Sequence, residues 1–202
     1  MMLRRALLAA GMFSMCSALP AFAQALPIRV RGTVVSLVGP VLTVVTREGP
    51  AATITLPDSL NPTALKRLTM DAIAPNSYVA TVAAPAADGT LQSVYVTVFS
   101  EAQRGTGEGH YDWDLSPGSS MTNATVTSVV SATAGRKLTM IYKGTPIEIV
   151  VPESAPILTG ISASRDDLKP GTRIYATVTK TGENAYLASR LTVTKDGVSP
   201  PQ

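Results

Sequence analysis

The sequence predicts an all-β protein made of two similar small barrels in tandem, on three observations. Thr, Val and Ile make up about three in ten of residues 24–202, and β-branched side chains favour strands over helices. The apolar stretches are short and separated by Gly- and Pro-containing turn signals. The pattern then occurs twice. Thr33-Val34-Val35-Ser36-Leu37-Val38 matches Thr125-Val126-Thr127-Ser128-Val129-Val130, and Leu42-Thr43-Val44-Val45 matches Leu138-Thr139-Met140-Ile141. Ile54-Thr55-Leu56-Pro57 matches Ile149-Val150-Val151-Pro152 at an offset of 95, and the offset holds for Asp71/Asp166, Pro75/Pro170 and Val96/Leu191. Matches in the same order along the chain indicate a duplication.

In the first copy (24–99) the expected strands are 28–38, 41–47, 51–56, 78–84 and 90–99. In the second copy (121–195) they are 122–131, 137–143, 146–151, 173–179 and 185–194. Gly39-Pro40, Asp88-Gly89 and Lys143-Gly144 mark turns between them. A helical turn is expected between strands three and four of each copy, where Asp71 and Asp166 are placed to cap it and Pro75 and Pro170 to end it. Pro62–Leu68 adds a short helix in copy one. This order, three strands, a helical turn and two strands, is that of a small closed barrel of the OB type. A module of about 70 residues buries only ~60% of its unfolded surface, so the two copies are expected to pack together or share the segment that joins them.

Residues 1–23 read as an export signal. Arg4 and Arg5 provide the positive start, Ala6–Ala18 the apolar stretch, and Ala21-Phe22-Ala23 a small-x-small cleavage site before Gln24. The flanking pattern of a twin-arginine signal is missing, which favours general secretion. Cys16 is not preceded by the small residue of a lipidation site. Export places the protein in the periplasm or outside the cell. Removal of the signal takes two of the 17 Lys and Arg and none of the 14 acids, so the net charge of +3 becomes +1. It also takes the only Cys, which removes disulfides, thiol nucleophiles and thiolate metal sites from consideration. No apolar run reaches the ~20 residues of a membrane-spanning helix, so no membrane insertion is expected. Residues 196–202 read as a flexible tail.

The connector, 100–120, departs from the strand pattern. It holds the only Trp and the only His, Trp113 and His110, and carries Glu101, Glu108, Asp112 and Asp114 against Arg104 alone. An acidic strap beside a second copy of net charge +4 is expected to dock on that copy. Glu108, His110, Asp112 and Asp114 alternate, so in an extended strap they share one face. Three carboxylates and an imidazole there can hold a divalent metal ion, although tight zinc or copper sites use more His or Cys. The alternative is that they hydrogen-bond the strap to the barrels. Trp113 and Leu115 are expected to anchor the strap in an apolar groove, with Trp113 otherwise a platform for a ligand such as a sugar ring.

Other chemistries fit less well. Nucleic-acid binding on such barrels uses aromatic residues on strands two and three in a basic groove, and Tyr142 is the only one there. One His and no Cys leave few nucleophile–base pairs. Ser119 and Ser120 lack a nucleophile-elbow pattern, and Gly105-x-Gly107-x-Gly109 is not the dinucleotide fingerprint. No enzyme activity and no resident cofactor are expected. Glycan binding on a barrel face would use Tyr142, Tyr175 or Tyr186.

The segment Arg104-Gly-Thr-Gly-Glu-Gly-His110, Trp113-Asp114-Leu115, Pro117-Gly-Ser and Met121-Thr-Asn-Ala-Thr-Val126 resembles a family of uncharacterised secreted proteobacterial proteins. Their two β modules are similar to a domain of unknown function common in exported bacterial proteins. The resemblance spans nearly all of residues 24–202 and singles out Arg104, Trp113 and Leu115 in the connector. Some relatives are labelled metal-transport permeases, which implies an association with metal handling. The functional expectation is a non-enzymatic, exported binding or scaffold protein associated with envelope stress, with an envelope protein or glycan as partner. A periplasmic metal-binding accessory protein is the alternative.

Overall fold

The computed structural model describes residues 27–132 and 135–202. The expected signal segment, its cleavage point and Cys16 lie outside these residues. The chain forms thirteen strands: β1 Ile28–Val38, β2 Val41–Thr46, β3 Ala51–Thr55, β4 Thr63–Leu68, β5 Tyr78–Pro85, β6 Leu91–Val98, β7 Gly109–Asp112, β8 Ser120–Ala132, β9 Gly135–Tyr142, β10 Thr145–Pro152, β11 Ile157–Ser162, β12 Arg173–Gly182 and β13 Ala185–Val193. The ten expected strands are all present, most with ends shifted by no more than a residue or two. Among the described residues the only helical elements are 3₁₀ turns of three residues each.

Five strands close a barrel. β1 pairs antiparallel with β2 and β2 with β3, β3 runs parallel to β13, β13 is antiparallel to β12, and β12 is antiparallel to β1. Inward side chains alternate along each strand, as a half-buried strand requires. Val30, Val34, Leu42, Val44, Ile54, Ile174, Val178, Leu191 and Val193 fill the interior. The expectation that each copy closes on its own strands is corrected here, because β1–β3 come from the first copy and β12–β13 from the second. β1 has a partner on each edge. Its first half lies on β12 and its second half on β2, and the two pairings overlap at Gly32 and Thr33; a Cβ on Gly32 would run into the carbonyl of Val45.

The remaining strands mirror this pairing. β8, β9 and β10 form an antiparallel meander, β5 pairs with both β8 and β6, and β10 meets β6 in parallel at Val150↔Gln92. Val79, Val96, Val126, Leu138, Met140, Ile149 and Val151 make up their core.

The chain crosses between the two groups along β4 and β11. These pair antiparallel with each other, Leu65 opposite Gly160, and each lies beside a strand of one group, β4 by β13 and β11 by β6. The short helix expected at Pro62–Leu68 is therefore strand β4. A seven-residue helix is far below the length that holds itself together in water, so pairing with β11 decides the conformation. The capping expectation is also corrected. The turn at Met70–Ala72 has Thr69 at its N-cap, and the Asp71 carboxylate instead accepts from Arg136 Nη2 at 2.7 Å. In the turn at Arg165–Asp167 it is Asp167, not Asp166, that accepts the Ser164 N–H, at 2.8 Å. Residues 196–202 fold back: Pro200 is buried and Gln202 Nε2 donates to the Ile174 carbonyl at 3.4 Å.

Candidate functional site

The connector runs over both groups of strands as a strap. It starts with a 3₁₀ turn at Glu101–Gln103. Arg104 then binds back, donating to Glu101 at 2.7 and 2.8 Å and to the Asn76 carbonyl at 2.7 Å. The Thr106 carbonyl accepts from Tyr78 Oη and Asn123 Nδ2, each at 3.1 Å. Gly107 has φ +61°, and a Cβ there would sit 2.7 Å from Asn123 Nδ2. Glycine is thus required both for the left-handed turn and for the close approach. The strap next pairs as β7 with the first part of β8, Tyr111 opposite Met121.

It then turns at Trp113. The Trp113 N–H donates to the Ser119 carbonyl at 2.8 Å, and Ser119 Oγ lies 2.9 Å from the Trp113 carbonyl and 2.7 Å from that of Ser116. Trp113 and Leu115 pack with Tyr95 and Phe99 on Ala80, Val82 and Met121. β5 is consequently buried on both faces from Tyr78 to Ala83, with Val79 and Ala83 facing the barrel-like core and Ala80 and Val82 facing the strap.

The four alternating residues are spent on separate contacts. Glu108 Oε1 accepts the Lys143 N–H at 2.8 Å, and His110 Nδ1 lies 2.8 Å from Thr122 Oγ1 with its ring 6.0 Å from that of Tyr142. Asp112 is exposed. Asp114 accepts from Arg31 Nη2 at 2.8 Å and lies 3.9 Å from Arg29 Nη1. Among the described residues no three His, Cys, Asp or Glu side chains gather as metal ligands do. The docking expectation changes in the same way: Glu108 reaches the second copy, while Asp114 reaches β1 in the first.

Sequence reasoning missed the seam where Asp114 lands. Arg31 is 3% exposed and lies 5.2 Å from the Tyr175 ring centre. Arg29 stacks on Trp113 at 3.9 Å, and Tyr111 lies 6.1 Å from Trp113. Arg stacking on an aromatic face combines cation–π and planar contact. Burial opposes the charge on Asp114, but the Arg31 hydrogen bond and charge, with that of Arg29, hold its carboxyl below the usual range. Burial pushes the hydroxyls of Tyr95, Tyr175 and Tyr111 up. The available signal was the pair Arg29 and Arg31, two charges on the outward face of an otherwise uncharged strand. Tyr142, Tyr175 and Tyr186 are each partly buried. Tyr142 and Tyr186 pack against the two cores, so they do not form an open aromatic face.

The fold and site together define an all-β protein with a closed five-stranded barrel and a strap clasped by arginine and aromatic side chains. No helix among the described residues is long and apolar enough to cross a membrane. Comparison with known proteins returned no matching family model, no matching curated protein and no matching solved structure.

Proposed function

We propose that this chain is an exported, non-enzymatic binding or scaffold protein whose ligand-contacting part is the strap. In this reading the second group of strands is a second OB-like barrel. The whole is a duplicated module in which the copies exchange their last two strands. The observation that carries the binding reading is the division of labour along the strap. Arg104, Glu108, His110, Leu115 and Ser119 all hold the strap down, and His110 and Ser119 are committed to Thr122 and to backbone carbonyls. Tyr111, by contrast, is 38% exposed beside Trp113 and Arg29. A strap built only to brace the fold has no need for an exposed aromatic next to a stacked arginine.

The test is native mass spectrometry of protein purified from the periplasmic fraction. The expected species begins at Gln24 and carries a non-covalent adduct that is lost in Tyr111→Ala. A full-length chain confined to the cytoplasm would overturn export, and a bare processed chain would overturn binding.

A further inference from the structure

The outer face of the closed barrel beneath Tyr111 carries an ordered set of side chains. Arg29 on β1 is opposite Thr177 on β12, and Thr177 is opposite Arg190 on β13. The next row is Arg31, Tyr175 and Thr192. Strands lie about 4.8 Å apart, so the backbones of Arg29 and Arg190 are separated by roughly 10 Å with a threonine between them. Arg190 is exposed, and among the described residues no acid lies within ion-pair distance of it. Arg29 meets an acid only at 3.9 Å, too long for a hydrogen bond. Tyr111 lies beside Trp113, whose ring the Arg29 guanidinium covers, which sets Tyr111 on the strap next to this row.

We infer that this face binds an acidic glycan, a chain of sugar rings bearing carboxylates, with Tyr111 against a ring and Arg29 and Arg190 on two carboxylates. This rests on the binding reading above and names its ligand class. The chemistry follows from the parts. Guanidinium groups take carboxylates in paired, planar hydrogen bonds. Exposed aromatic faces take the apolar side of a sugar ring. Two cations spaced across three strands suit a repeating polymer better than one small anion. Asp114 already supplies an internal carboxylate to Arg31, so the strap itself shows the kind of group this face accepts.

The single Trp reports on the seat directly, since Trp113 stacks on Arg29. Purified protein is titrated with oligogalacturonate, with its methyl ester, and with sodium acetate at matched charge, following Trp113 emission. The expected result is a saturable change with oligogalacturonate, at least tenfold weaker binding of the ester, and none with acetate. Arg190→Gln, at an exposed site with no acidic partner, is expected to weaken oligogalacturonate binding about tenfold with an unchanged unfolding midpoint. Arg29→Gln is expected to weaken binding as well, to alter the emission of the free protein and, because it removes the stack on Trp113, to lower the unfolding midpoint. Equal binding of acid and ester, or an unaffected Arg190→Gln, overturns the carboxylate assignment and leaves the binding reading standing. No response to either oligomer overturns the glycan class. In that case a periplasmic adduct of other chemistry keeps the binding reading, and a bare chain ends it.

Discussion

Arg31 on β1 donates to Asp114 in the strap at 2.8 Å, across 83 positions of sequence, from a side chain that is only 3% exposed. This contact ties the connector to the closed barrel. A guanidinium that deep is costly without a counter-charge, and removing one partner of such a pair leaves the other stranded.

Asp114→Asn is therefore expected to destabilise the fold at pH 7 by about 2 kcal/mol. That is less than the ~3–5 kcal/mol of a wholly buried pair, because the Asp114 side chain is 44% exposed. The pH dependence follows from the sign of the shift. Asp114 titrates lower in the folded protein than the ~3.9 of an unfolded chain, so its contribution is full above that value and is lost as pH falls through the folded pKa. Asp167 is held low by the Ser164 N–H and by Lys195, and Asp88 by Thr90, so acid weakens the fold generally. The Asp114 share is the part missing from Asp114→Asn. Urea titrations of both proteins at pH 7 and pH 3 measure it, and the gap between them is expected to shrink at pH 3. Coincident midpoints at pH 7 would refute the latch.

Cutting the strap tests the strand exchange. A protease site placed between Gly105 and Thr106 separates the copies in sequence, yet β12 and β13 complete the barrel that β1–β3 begin. After cleavage the two pieces are expected to elute as one species from a sizing column and to separate only in denaturant. Two folded pieces that elute apart would contradict the exchanged pairing.

Gly32→Ala probes the point where β1 pairs with both β2 and β12. The new Cβ would meet the Val45 carbonyl and lie 3.2 Å from the Thr46 Cα, both backbone atoms that cannot rotate away. Overpacking of this kind costs about 2 kcal/mol. The urea midpoint is expected to fall accordingly, while alanine at Gly160, a β11 position where a Cβ meets open space, leaves it nearly unchanged.

Arg104→Ala removes the clasp at the start of the strap, three hydrogen bonds in all to Glu101 and Asn76. The side chain is 30% exposed, so only a small fall in the unfolding midpoint is expected. Hydrogen exchange locates the effect. Amides of residues 109–112 in β7 should exchange faster, while those of β1 and β12 keep their protection. Equal acceleration everywhere would mean that Arg104 supports the whole fold and not the strap.

Most strands could be read from the chain because their causes are local. Val30 and Val34 face inward while Arg29 and Val35 face out, and Gly39-Pro40 turns the chain between β1 and β2. β4 and β11 were illegible. Thr63–Leu68 has helix-compatible residues, and its strand partner lies some 95 positions away in residues 157–162, which carry no period of their own. In the strap, Trp113 and Leu115 stood out as an anchor or, for Trp113, a ligand platform; they pack on Ala80, Val82 and Met121, and Arg104 bonds Glu101 and Asn76. The alternation of Glu108, His110, Asp112 and Asp114 suggested one shared metal face, but the chain leaves β7 after Asp112 and turns at Trp113, which sends Asp114 to β1. Arg29 and Arg31 gave little sign of their role, since charges on the outer face of a strand are ordinary until another segment settles on them.

Local chemistry is enough to place most of the strands, their inward faces and their turns, because these depend on β-branching, alternation and a few Gly and Pro residues close in sequence. It is not enough to choose partners. The two halves of the chain carry similar alternating strands, so β3 presents a comparable edge to β6 and to β13. The choice falls to the crossover, where β4 and β11 satisfy each other's backbone hydrogen bonds and carry the chain from one group of strands to the other. That pairing sends β12 and β13 back to close the barrel of β1–β3, and only once it is made do Arg29, Arg31 and Arg190 share one face under the strap.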